Sequence, residues 1–304
     1  MPIKVPDNLP ALDALHAESV DVIPQETAAR QDIRPLRLLL LNLMPTKRDT
    51  EIQFARLFGN TPLQVEMILM TTASYTPRNT EPAYMRRFYR SLDDVRDEYF
   101  DGLIVTGAPI ETLPFTEVTY WPELVDIIEW SKTHCFRRLG ICWGAQALLW
   151  QLYAVPKYQM PQKLFGIFEH KLSDVSGRLM NGFTDSFPMP ISRYTMNKAE
   201  DLTAAGLQIL AEGESCGVGM ARDRKNGDLF VFNHLEYDAG TLGTEYHRDA
   251  EAGLGTALPV NYFPGDDATR PPINSWRPFA FLLMANWIND LYQDTPYDLS
   301  ALGE

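Results

Sequence analysis

Three short apolar runs set the terms for this chain: Leu36 to Leu43, broken only by Arg37 and Asn42, Phe100 to Thr106, and Phe136 to Ile141. None of them alternates apolar with polar residues, so a strand formed there must be buried on both faces, as parallel strands covered by helices are. Helical patterns follow them. One runs from Thr50 to Phe58, with Thr50 as a cap and Gly59 beyond the last turn; others run from Glu123 to Thr133 and from Gly144 to about Tyr153. With a further strand expected at Gln64 to Met70, this order predicts βαβ units and a flavodoxin-like α/β fold: a mostly parallel sheet with helices on both faces. Ligands bind such sheets beyond the carboxyl ends of the strands. The loops holding Lys47, Glu111 and Cys142 lie there.

The second half reads differently. Pro156 to Ser192 is rich in Gly, Pro and Phe and predicts an irregular mixture of strands and loops. Gly217 to Arg222 and Leu229 to Asn233 form a hairpin pattern across Asp223 to Asp228, where Asn226-Gly227 is the turn signal, and a last helix is expected from Trp276 to Tyr292. The expected organisation is an N-terminal extension over 1–34, a single α/β domain over 35–296 and a short tail over 297–304.

Forty Asp and Glu against 27 Lys and Arg give a net charge of −13, which argues against nucleic acid or an anionic membrane as a partner and leaves small molecules. The three cysteines, Cys135, Cys142 and Cys216, show no metal-ligand spacing, so no metal is expected and a reducing compartment is implied. No apolar run follows a basic start before Asp32, and the stretch from Pro278 to Asn289 is too short to span a bilayer. A cytoplasmic protein is the expectation.

The chemistry centres on Gly140-Ile141-Cys142-Trp143-Gly144. Glycines two residues before and after a thiol allow a sharp turn from strand to helix, which sets the sulfur at a helix N-terminus where backbone dipoles favour a thiolate. Such a nucleophile needs a base, and the base needs a group to orient it. His234 follows an apolar strand, and Glu236 stands two residues on, so both side chains can share one side of an extended segment. The other histidines fit less well: His134 reads as a helix C-terminus, His170 as a solvated loop residue and His247 as part of a solvated helical face, while His16 lies in the extension. Cys216 lacks the preceding glycine and reads as structural.

Taken together, the elbow, the His-x-Glu pair and the α/β order resemble the class I glutamine amidotransferase-like fold, in which a Cys-His-Glu triad serves acyl transfer. Closer still, Asn42-Leu-Met-Pro-Thr-Lys47, Val105-Thr-Gly-Ala-Pro-Ile-Glu111, Gly140-Ile-Cys-Trp-Gly-Ala-Gln146, Lys163-Leu-Phe-Gly166 and Asn233-His-Leu-Glu-Tyr-Asp238 are similar to the homoserine O-acyltransferases of methionine biosynthesis. The resemblance runs from about Pro35 to Tyr292. It implies that Cys142 carries an acyl thioester, that His234 is the general base oriented by Glu236, and that Lys163, Ser192 and Arg248 bind the amino-acid substrate. Backbone N–H groups of Trp143 and of the Gly107-Ala108 turn are expected to hold the oxyanion, with Lys47 a further candidate for the oxyanion or the acyl donor. Family members use acetyl- or succinyl-coenzyme A, and the resemblance makes position 111 a determinant, with glutamate in acetyl users. Glu111 therefore points to acetyl-coenzyme A as co-substrate, with no permanently bound cofactor. A homodimer is the family expectation. From the residues alone, a glutaminase subunit, a cysteine peptidase and a binding module stay open, because the elbow serves several chemistries.

Overall fold

The computed structural model describes residues 3–5, 22–24, 34–75, 79–173 and 177–303. The sequence places His16 outside these residues.

Six strands are parallel: β1 (Leu36–Leu41), β2 (Val65–Met70), β3 (Tyr89–Arg90), β4 (Phe100–Val105), β5 (Cys135–Ile141) and a late one, β10 (Leu229–Val231). Four more are antiparallel: β6 (Tyr158–Leu172), β7 (Ser186–Met196), β8 (Gln208–Gly213) and β9 (Gly217–Arg222). All join one sheet in the order β3-β2-β1-β4-β5-β10-β9-β8-β6-β7, so the parallel half is continued by the antiparallel half through β10. Two short segments, Ile3–Val5 and Val22–Pro24, pair with each other in parallel outside this sheet.

Burial follows the apolar runs. In β1, Leu38 and Leu40 face a layer with Phe54, Ile104, Leu139 and Trp287, while Leu39 and Leu41 face the opposite layer with Leu103, Val105, Ile128 and Leu148. The first layer is closed by α1 (Lys47–Phe58) and α8 (Arg277–Asp294), the second by α4 (Trp121–His134) and α5 (Trp143–Tyr153). The short helices α3 (Leu92–Val95) and α6 (Ala199–Ala204) add Leu92, Val95 and Leu202 to the second layer, α2 (Pro82–Phe88) buries none of its residues, and α7 (Thr241–Glu251) follows β10. No helix of the described residues is long and apolar enough to cross a membrane.

Three expectations need correction. The first helix begins at Lys47, flanked by Thr46, because the Thr50 hydroxyl donates back to the Thr46 carbonyl (3.2 Å) inside the helix and does not cap it. The stretch from Pro156 to Ser192 is no irregular region. It supplies most of the long β6/β7 hairpin, paired from Leu164↔Arg193 to Lys171↔Ser186. Pro188 and Pro190 are accommodated because β7 is the sheet edge, where a missing N–H breaks no ladder. His170 consequently lies on β6 and is fully buried, not solvated. The hairpin read from Asn226-Gly227 forms as β9/β10, and His247 is exposed on α7.

Candidate active site

Cys142 stands between β5 and α5 with φ 51° and ψ −117°, a conformation sparsely used by residues with a Cβ. Two close approaches hold it there. A Cβ on Gly144 would sit 2.3 Å from the Val105 carbonyl oxygen, and one on Gly140 would sit 2.5 Å from the Ala145 Cα. The helix start is thus pressed against the ends of β4 and β5. The Cys142 N–H donates to the Val231 carbonyl (2.7 Å) and the Cys142 carbonyl accepts from the Gln146 N–H (3.2 Å), so the turn is tied to the neighbouring strand and to its own helix.

That neighbouring strand brings the histidine. β10 lies beside β5, and just beyond its end the His234 N–H donates to the Pro190 carbonyl (2.9 Å). The imidazole is 3 % exposed, its Nδ1 is 2.7 Å from Glu236 Oε1, and the Cys142 thiol is its other hydrogen-bond partner. Burial alone would depress the imidazole. The charges of Cys142 and Glu236 outweigh it and hold His234 well above its ordinary range. The Tyr237 ring stacks on His234, with centroids 4.1 Å apart and planes 13° apart, and fixes the tilt of the imidazole.

Gly107 lies beside both side chains. A Cβ there would be 3.4 Å from the Cys142 Cβ and 3.4 Å from the His234 Cε1, so this turn and the first turn of α5, with Trp143 and its indole buried, form the walls next to the sulfur. Ala108 is buried behind it. Glu111 follows in the same loop. The Lys157 ammonium donates to the backbone carbonyls of Glu111 and of Leu113 (2.6 Å), and burial lowers Lys157 to about 8 against the opposing pull of Glu111.

Lys163, Ser192 and Arg248 come from β6, β7 and α7, and carboxylates draw them together. Lys163 Nζ is 2.6 Å and Ser192 Oγ 2.7 Å from the same oxygen of Glu245, and Arg248 pairs with Asp249 at 2.7 Å while its side chain stays mostly exposed. Burial first, and then the charges of Glu236, Glu245, Cys142 and Glu111, push the Tyr237 phenol well above the tyrosine range. The buried Lys47 ammonium donates to the Asn42 carbonyl and lies near the Tyr89 ring, and burial lowers it to about 8. Glu245 and Tyr237 were not singled out by the sequence, although Tyr237 adjoins the His-x-Glu pair and Glu245 lies three residues before Arg248. Among the described residues, no group of three or more His, Cys, Asp or Glu could hold a metal ion.

The fold is that of the class I glutamine amidotransferase-like α/β proteins. A glutamine amidotransferase from Thermotoga maritima superimposes with a TM-score of 0.55 over 86 % of this chain and 100 % of its own, at 12 % identity, a likeness of fold alone. The family is narrower. The model of the homoserine O-succinyltransferase family matches residues 2–297, and the chain belongs to that family of acyltransferases. A protein of Sinorhizobium fredii named homoserine O-acetyltransferase is 47 % identical over 304 residues, covering 100 % of this chain and 99 % of its own length. One of Pelagibacterium halotolerans named homoserine O-succinyltransferase is 48 % identical over 303 residues, with the same coverage.

Proposed function

We propose that this protein transfers an acetyl group from acetyl-coenzyme A to the hydroxyl of L-homoserine, in methionine biosynthesis, through a thioester on Cys142. The observation that carries the reading is the strained cysteine at the head of α5, hydrogen-bonded to a buried His234 that Glu236 orients at 2.7 Å. His234 takes the thiol proton as sulfur attacks the acyl carbonyl, and the carbon–sulfur bond to coenzyme A breaks. Coenzyme A leaves as a thiol with that proton. The homoserine hydroxyl then gives its proton to His234 as its oxygen attacks the thioester, and the thiolate returns to Cys142. Amides of Trp143 and of the Gly107-Ala108 turn are the donors for the oxyanion.

Homoserine carries one ammonium and one carboxylate at neutral pH. Glu245 suits the first, and Lys163, Ser192 and the exposed fork of Arg248 suit the second. Acetyl is favoured over succinyl because Glu111, Glu236 and Glu245 already crowd negative charge around Tyr237, and a succinyl carboxylate would add to it. Relatives of nearly equal identity carry both names, so the acyl group is the part to test first.

The test is coenzyme A release from acetyl- and succinyl-coenzyme A, each with and without homoserine. Acetyl-coenzyme A should give homoserine-dependent release and an acetyl group on Cys142 by mass spectrometry. Cys142→Ala should lose about 10³-fold or more of the rate, and Glu111→Gly should gain succinyl turnover. Undiminished release by Cys142→Ala contradicts the thioester route, and a wild-type preference for succinyl overturns the acetyl assignment.

A further inference from the structure

Three arginines are buried among the described residues, and two have acids beside them: Arg137 pairs with Asp290 and Asp294, Arg138 with Asp228. Arg193, 3 % exposed, has none. Its guanidinium donates only to neutral acceptors, the carbonyls of Thr195 (3.0 Å) and Cys216 (2.8 Å). An unpaired buried cation is costly to keep, so its presence calls for a negative charge nearby.

The strand face supplies the location. On β7, Arg193 and Thr195 point to one side, while Ser192 points to the other and meets Glu245. The Thr195 hydroxyl donates to the Gln146 side-chain carbonyl (3.0 Å), and Gln146 is the residue whose N–H holds the Cys142 carbonyl. The face carrying Arg193 therefore abuts the first turn of α5, under the nucleophile. The titratable groups that bear on Arg193 are Cys142 from the elbow, Cys216 before β9 and His170 on β6, and none is a carboxylic acid. Those that bear on Cys142 are Arg193 from β7 and His234 and Tyr237 from the segment after β10. Cys216 is a poor counterion: burial pushes its thiol up to about 11, and its sulfur shares a contact of 3.2 Å with His170 Nε2.

We propose that Arg193 is the buried counter-charge of the Cys142 thiolate. When the Sγ–H bond breaks, the electron pair stays on sulfur and the proton moves to His234 Nε2, leaving Nδ1–H on Glu236. The two anions this leaves, Cys142 and Glu236, are then matched by two cations, His234 and Arg193. Arg193 does not touch substrate; it acts through the sulfur. This rests on the reading of Cys142 as the nucleophile.

The experiment follows the pH dependence of Cys142 alkylation by iodoacetamide, resolved from Cys135 and Cys216 by peptide mass spectrometry. Wild type is compared with Arg193→Lys, which keeps the charge, and with Arg193→Gln, which keeps donors for the two carbonyls. The Gln variant should move the alkylation midpoint alkaline by about one pH unit or more, and the Lys variant should lie nearer to wild type. Coincidence of all three profiles, or equal shifts in Lys and Gln, overturns the assignment. Should Arg193→Gln fail to fold, Cys216→Asp decides, because it leaves Arg193 in place and sets a carboxylate beside it: an alkaline shift supports the proposal and an unchanged midpoint refutes it. Failure of the acyl-transfer reading is separate, since it shows as full coenzyme A release by Cys142→Ala.

Discussion

Behind the triad, His170 is the residue whose behaviour departs furthest from what its sequence neighbours suggest. It is fully buried, with Nδ1 2.9 Å from the Phe168 carbonyl and Nε2 within 3.0 Å of Asn233 Nδ2, the residue directly before His234. Burial, with a smaller contribution from Arg193, lowers it to about 4. The unfolded chain then binds a proton more readily than the folded one between about 6.5 and 4, so the stability that neutral His170 preserves is present above that window and is lost as pH falls through it. The loss approaches about 3 kcal/mol. Urea denaturation of wild type and His170→Asn at pH 7, 5.5 and 4.5 should show a gap that narrows or reverses on acidification; a constant gap contradicts this. Cys142, His234 and Glu236 were legible because their signals are local, two glycines around a thiol and a carboxylate two residues from an imidazole. His170 was not, since its environment comes from Cys216, 46 residues away, and from Asn233, 63 away.

At the scale of the element, the strand-to-helix turn around Cys142 tolerates no added atom. Gly144→Ala would place a methyl 2.3 Å from the Val105 carbonyl oxygen and 2.6 Å from that of Thr106, both backbone atoms of a central strand and its end. We expect a loss of about 3 kcal/mol or more of stability and a fall in coenzyme A release out of proportion to the folded fraction, because the helix start must back away from β4. Circular dichroism melts beside activity per folded molecule measure both, and a variant with wild-type stability and rate would contradict the packing argument. The same tightness explains why the parallel half was legible: residues buried on both faces leave an unbroken apolar run, and β1, β4 and β5 were each placed within two residues of their observed ends. The β6/β7 hairpin was hidden because its register is set between strands, and the prolines of β7 read as breakers until the edge position is known.

Across the whole molecule, α8 is fastened to the sheet by a buried ion cluster. Asp290, 2 % exposed, meets Arg137 at 3.4 Å, Arg178 at 3.2 Å and Arg222 at 3.3 Å, and Asp294 takes a second contact from Arg137. Arg137 lies near the start of β5 and Cys142 just past its end, so the cluster and the site lie at opposite ends of that central strand. Asp290→Asn should therefore cost about 3 kcal/mol, because it leaves buried guanidinium groups under-compensated, while the folded protein keeps its rate of coenzyme A release. Urea midpoints and activity at low denaturant give the two numbers, and a lost rate with unchanged stability would refute the separation.

The sheet order carries one more consequence. β5 and β10 are neighbours, yet Arg138 and Asp228, which join them at 2.8 Å, are 90 residues apart in the chain, with the antiparallel strands β6 to β9 in between. Closing so long an interval costs little at equilibrium but delays the contact in time. During synthesis Cys142 therefore emerges, and its turn can form, well before His234 exists. Under the proposed mechanism an unfinished chain carries an unactivated sulfur, and the reactive one is a product of completed folding.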